Sequence, residues 1–321
     1  MCHSPHIVPQ HRLKLQVQVI VQYQTWTSTM YNLDTSKLYE YAPYIAAGVA
    51  GVASAAYLLN KIINRPPVYN DPPDTVILCS FPRGPAAPNY SMFPLKLETY
   101  LRLAKIPHKV VDDRGVSPKN KTPFIMLNGE TISDSQLCIE FLNKKFNIDL
   151  DKSLSAEERG ISRAFRKMME EGFYWNYVLE RWVYDKGDFV KTMMKSFLPV
   201  PILPTILVSQ ISKTIKNYSY GQGMGRHSKE EVRKIGYGDL KALSDFLGKK
   251  LYCMGDQITE IDCSIFGFLC MCKFHAPGTI YEQAVTKDFP NLDAYIERVK
   301  TLCWEDWDDC ITHNGTKKAL K

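Results

Sequence analysis

KTPFIMLNGETISDSQLCIEFL (121–142) packs a strand, a turn, a return strand and a helix start into one short stretch. TPFIML (122–127) is a brief apolar run, and NGE (128–130) carries the Asn-Gly signal that closes a two-stranded hairpin. TI continues as the second strand. Asp134 then opens a helix over DSQLCIEFLNKKF (134–146).

Upstream, TVILCS (75–80) is a short β-rich run and FPRGPAAPNYSM is a loop. FPLKLETYLRLAKI (93–106) has helical spacing, with Leu97, Leu101 and Ala104 on one stripe, and HKVV (108–111) is a second strand. The order β-α-β, hairpin, α is an α/β thioredoxin-like arrangement with a mixed sheet, not a doubly wound one. It spans residues 75–150.

Downstream, residues 151–321 carry little strand pattern. SAEE (155–158), SKEE (228–231) and TEID (259–262) read as capping boxes that open helices, so this half is an all-α domain. FLPVPILPTILV (197–208) is apolar, but its three prolines make it a connector, buried or docked on the surface, rather than a membrane span.

The front of the chain differs. Residues 1–40 read as a weakly ordered tail, and Met30 begins a second, more conventional N-terminus. YAPYIAAGVAGVASAAYLLN (41–60) lacks any charge between Glu40 and Lys61 and has the length of a bilayer core, so a single transmembrane helix is expected over 41–63. Lys61 and Arg65 behind it favour a cytosolic body. The proline-rich 64–74 reads as a stiff linker.

The chain has 321 residues, 45% hydrophobic and 23% charged, which excludes a disordered or collagen-like chain. Its 40 basic and 34 acidic residues give +6, too mild for a nucleic-acid face. Nine cysteines at irregular spacing, with no C-x-x-C pair, read as free buried thiols in a reducing compartment. No metal set is expected.

A thioredoxin-like half followed by a helical half resembles the glutathione transferase superfamily. Pro123 stands where that superfamily has its cis-proline, Asp134-Ser135 where it has an acidic-Ser pair, and DQITEIDCSIFG (256–267) is similar to its helical-domain box. FPRGPAAPNYSMFPLKLETYLRLAKIP (81–107), YGQGMGRHSKEEV (220–232) and FPNLDAYIERVKTLCWEDW (289–307) look like the failed-axon-connections family, which includes the nematode cadmium-responsive proteins and is related to metaxins.

The resemblance implies a glutathione site. Thr122 before Pro123 would offer its backbone to the peptide, Ser135 would hold the γ-glutamyl carboxylate at a helix N-terminus, and Asp134 would face the ammonium. Ser91 stands at the position of the catalytic serine or cysteine, with Tyr90 beside it as the alternative. Where the relatives carry a cysteine three positions later, this chain has the inert Pro94. GQGMGRHS (221–228) is a tight turn, since it lacks a preceding strand and the ending of a phosphate loop.

Three functional readings follow. One is a membrane-anchored, glutathione-transferase-like protein of metal or xenobiotic stress, on a lysosomal or other organelle membrane. The second is a non-catalytic, metaxin-like module for trafficking, import or axon development. The third is a soluble active transferase. The partners expected are a membrane through residues 41–60 and a second folded chain, as a homo- or hetero-dimer.

Overall fold

Every residue of the strand Val76–Ser80 (β1) is buried, as its five-residue β-rich run requires when both faces of the sheet are covered. The computed structural model describes residues 72–112, 117, 119–185, 187–189, 191 and 203–321, all within the unit Pro66–Lys321. After β1 come the helix Met92–Leu103 (α1) and the strands His108–Asp112 (β2), Phe124–Leu127 (β3) and Glu130–Ser133 (β4). The sheet runs β2-β1-β3-β4. β1 is parallel to β2 and antiparallel to β3, and β3 pairs antiparallel with β4. The hairpin turn falls at Asn128 and Gly129, both with positive φ (49° and 86°), which is why that dipeptide marks it.

Alternation divides the sheet between two environments. Val76, Leu78, Ile125 and Leu127 pack with Leu97 and Leu101 of α1 and with Ile139 and Leu142 of the helix Ser135–Phe146 (α2). Ile77, Cys79 and Phe124 face the other way.

The second half is helical, as expected. Ser155 and Glu158 cap the helix Ala156–Lys167 (α3) reciprocally. Its path continues through a π turn at Met168–Phe173, the helix Tyr174–Leu179 (α4) and a second π turn at Glu180–Tyr184. The helix Leu203–Gln222 (α5) begins inside the proline-rich apolar run. Pro204 sits in its first turn, where a missing amide proton costs nothing. Residues 197–202 of that run lie outside the described residues. Ser228 and Glu231 cap Lys229–Leu247 (α6), and Glu260–His275 (α7), Ile280–Gln283 (α8) and Pro290–Cys303 (α9) complete the domain.

α7 is buried at every position from Ile261 to Cys272. It crosses α1 so closely that a Cβ on Gly267 would lie 2.6 Å from the Met92 carbonyl oxygen. Its N-terminus is fixed by Asp262, which is fully buried. The carboxylate accepts from the Thr259 amide (2.7 Å) and hydroxyl (2.9 Å), the Cys253 amide (2.8 Å) and the Tyr295 hydroxyl (2.8 Å).

The C-terminal aromatic-acidic stretch packs inward. Trp304 and Trp307 are buried. Arg102 lies 3.9 Å from the Trp304 ring centroid and pairs with Asp306. Glu98, also buried, takes a two-bond clasp from Arg83 at 2.7 and 3.0 Å.

One expectation is corrected. Among the described residues no helix is long and apolar enough to cross a membrane, so a single-pass membrane protein with a membrane partner and a cytosolic body is not supported. Residues 41–63, on which that reading rested, lie outside the described residues. Nine of the twenty residues 41–60 are alanine or glycine, whose transfer to lipid yields little free energy beside that of leucine or isoleucine. Among the described residues the most apolar long helix, α7, has sixteen residues and lies in the core, short of the ~20 a span requires.

Asp262→Ala leaves four donors without their acceptor. We expect a loss of about 4 kcal/mol, at the upper edge of single-site effects, read as a lowered urea midpoint with unchanged slope. A loss under about 1 kcal/mol would show that these bonds do not hold the helix start.

Candidate active site

The loop from β1 to α1 is anchored by a buried side chain. Asn89 Nδ2 donates to the Ser80 hydroxyl at the end of β1 (2.7 Å), and Asn89 Oδ1 accepts from the Ser91 amide (3.2 Å). Ser91 therefore arrives at the head of α1 in an extended conformation (φ −129°, ψ 142°). Its hydroxyl caps no amide. Among the described residues the one hydrogen bond of its side chain is a weak one to Met92 Sδ at 3.9 Å.

A cleft of about 860 Å³ opens in front of it. Ser91, Thr122, Pro123, Asp134 and Ser135 all line it. Five of the six residues singled out from sequence thus meet at one place, although they come from segments up to 44 positions apart. The Thr122–Pro123 bond is cis. The β1–β3 ladder ends at Cys79–Phe124, so the Thr122 main chain lies beyond it at the cleft wall.

Ser135 is the first residue of α2 and 5% exposed. Its hydroxyl has no hydrogen bond among the described residues. Asp134 precedes it at φ 84° and caps the helix, accepting from the amides of Gln136 (3.1 Å) and Leu137 (3.4 Å). Its other oxygen accepts from Lys121 Nζ at 2.6 Å. Burial alone would raise the Asp134 pKa. The Lys121 ammonium and the two amides outweigh burial and hold the carboxyl below its usual value.

Tyr90 turns away. It is absent from the cleft wall, and its ring stacks on His275 at 5.7 Å. Burial pushes its hydroxyl up to about 12 against the pull of Arg181. Neighbours in sequence, Tyr90 and Ser91 thus occupy different environments.

The opposite wall comes from α3, the first π turn and α4. It presents Arg163, Arg166, Glu170, Tyr174 and Trp175. Phe93 faces Tyr174 at 5.5 Å, and Tyr174 meets Trp175 edge-on at 5.2 Å, so this end is aromatic. Beneath the polar end, the buried Lys96 donates to Glu170 (2.6 Å) and Gln136 (2.7 Å), and Ser264 of α7 also donates to Glu170 (2.8 Å). This network ties α1, α2 and α7 to the cleft floor. Sequence reasoning missed it. The available signal was Lys96 itself, a cation set between Leu95 and Leu97 on a helix otherwise reading as core.

No described thiol serves the cleft. All eight described cysteines are buried, and none is in a disulfide. Burial pushes Cys138 up to about 12 and Cys303 to about 11, away from the thiolate range. Cys2 lies outside the described residues.

Comparisons with known proteins agree with the two-part fold. The glutathione S-transferase N-terminal domain family matches residues 92–187, and the glutathione S-transferase C-terminal domain family matches residues 236–299. The chain is 33% identical to Failed axon connections of Drosophila melanogaster over 254 residues, covering 74% of this chain and 60% of that relative's length. It is 31% identical to the isoprene-epoxide–glutathione S-transferase of Rhodococcus over 188 residues, 57% of this chain and 78% of the relative. It is 24% identical to mouse Metaxin-2 over 218 residues, 66% of this chain and 82% of the relative.

The Lys121–Asp134 pair yields a pH prediction. A carboxyl with a lowered folded pKa stabilises the fold above its ordinary value, and the contribution disappears as the pH falls through the folded value. In Lys121→Met the Asp134 carboxyl moves back up toward the ordinary carboxylate value, so this contribution shrinks. Lys121 is 58% exposed, so the stability change stays under about 1 kcal/mol. Carbon-detected NMR titration of Asp134 reads the shift, and an unmoved midpoint would show that Lys121 does not hold it.

Proposed function

The chain belongs to the glutathione S-transferase family, as a relative of Failed axon connections and the metaxins, and from that premise we propose that its cleft binds glutathione and uses the Ser91 hydroxyl to hold the tripeptide's sulfur as a thiolate. The observation that carries this reading is the meeting of Ser91, the cis Thr122–Pro123 pair and Ser135 in one cleft.

Ser135 and the first amides of α2 would receive the γ-glutamyl carboxylate, since a helix start offers donors and positive potential. The Thr122 main chain would pair with the extended backbone of the peptide. Ser91, its hydroxyl not engaged in capping, would donate to the sulfur. That favours the thiolate, the thiol proton passing to solvent. The sulfur lone pair then forms a C–S bond to an electrophilic carbon while the broken bond's electrons leave on the departing atom. The aromatic end formed by Phe93, Tyr174 and Trp175 suits an apolar electrophile. An epoxide is a suitable probe because the Rhodococcus relative is named for one. Such an activity belongs to the handling of xenobiotic stress.

A second reading, a non-catalytic interaction module of the same fold, draws on the state of Asp134. Both its oxygens are already engaged, by the α2 amides and by Lys121. The ammonium of glutathione would have to compete with Lys121 for it.

Calorimetry of the full chain with glutathione, beside turnover of an epoxide and an aryl halide, separates the two. Ser135→Ala should weaken glutathione binding about tenfold or more, the cost of one hydrogen bond to a charged group. Ser91→Ala should leave the affinity nearly unchanged and lower turnover on the order of 10²-fold, as removal of a single donor to a developing anion does. Absence of binding heat in the natural protein would leave only the module.

A further inference from the structure

Arg181 and His275 are buried without an answering group among the described residues. Arg181 is 6% exposed and His275 is fully buried. Arg181 Nη1 donates to the Tyr90 carbonyl (3.1 Å) and the Tyr177 hydroxyl (3.3 Å), but its Nε has no partner among the described residues. Among the described residues neither ring nitrogen of His275 has one. Among the described residues no carboxylate pairs with Arg181. Its neighbour Glu180 is bound by Arg233 through two bonds.

The two groups belong to one place. Tyr90 gives its carbonyl to Arg181 and stacks its ring on His275. Phe189 lies 5.9 Å from the His275 ring, and Trp182 lies 5.4 Å from the guanidinium. A guanidinium does not deprotonate in a protein, so burial cannot silence its charge; an acceptor has to meet it. The imidazole is kept neutral by burial and then by Arg181. It retains one N–H donor. Among the described residues the neighbourhood thus carries a fixed positive charge and two unused donors, and no carboxylate is left to answer them.

We propose that Arg181 and His275 hold one small monovalent anion, of halide size, as the missing counter-ion. The surroundings favour a single-atom ion. They are mainly aromatic rings, and the backbone presses close: a Cβ on Gly84 would lie 3.1 Å from His275 Cε1. An oxyanion such as phosphate would ask for more donors than this neighbourhood supplies. The ion would sit next to the main chain that delivers Ser91, because Tyr90 is held by the same guanidinium. Its occupancy would therefore stabilise the fold where the loop from β1 meets α1.

The test uses the full chain at constant ionic strength, with gluconate replaced stepwise by chloride or bromide up to 200 mM. The melting temperature should rise by about 4 °C across the series, the size expected of a weak ligand bound only by the folded state. Arg181→Met should flatten that response, and His275→Gln should reduce it. Identical gluconate and halide curves for the natural protein, or an undiminished halide response in Arg181→Met, would overturn the assignment. Should the Met variant not fold, crystals of the natural protein soaked in bromide decide the matter. An anomalous peak within hydrogen-bond reach of Arg181 Nε and a His275 ring nitrogen supports the site, and bromide only elsewhere rejects it.

Discussion

The fold hangs on the crossing of α7 over α1. At Gly267 the two helices are separated by less than the width of a methyl group, and any side chain there would push the helical domain off the thioredoxin-like one. The crossing also sets the cleft. Ser91 enters at the head of α1, and Ser264 of α7 reaches Glu170 on the cleft floor. Asp262 fixes where α7 begins, and so where Gly267 and Ser264 fall along it. A carboxylate buried among four donors and a glycine five residues later act as one device for registering the two domains.

The floor of the cleft obeys the same economy. Lys96 is a buried cation that avoids an isolated charge by holding Glu170 and Gln136. Glu170 in turn collects Ser264 and the flanking Arg166. A buried charge is tolerated when it is paired and its remaining hydrogen bonds are met. Here that requirement draws four helices and a π turn to one point. Arg83, Glu98, Arg102 and Asp306 form a comparable chain on the far side of α1, so this helix is gripped along its length by ion pairs as well as by leucines.

What was legible in the sequence was local. The Asn-Gly turn, the Ser155 and Ser228 caps and the proline before β3 each signal within a few residues, and each stands where the spacing put it. The joining of Ser91 to Thr122 and Ser135 was legible only through family resemblance, because no short window links them. Partners far apart were invisible: Arg102 meets Asp306 across 204 positions, and Lys96 meets Glu170 across 74. The divergence of Tyr90 from Ser91 was hidden for the opposite reason, since it is decided by the Asn89 anchor and not by composition. Hydropathy misled most. A charge-free apolar run reads alike for a membrane span and for a core helix, and within the described residues the apolar helix is the core one, α7.

The two π turns in the α3–α4 path bear on how this protein tolerates changes of length. A π turn holds one more residue than the α-helical turn it replaces, and each residue accounts for about 100° of rotation around the axis. Tyr174 and Trp175 follow the first wide turn, and Arg181 lies within the second. Deleting a single residue between Met168 and Phe173 would therefore swing the aromatic wall and the buried guanidinium together, with no substitution at either. The same deletion among the exposed residues that precede α3 would touch neither. In descendants of this chain, the most consequential mutation need not exchange any amino acid; the loss of one codon inside a helix would suffice.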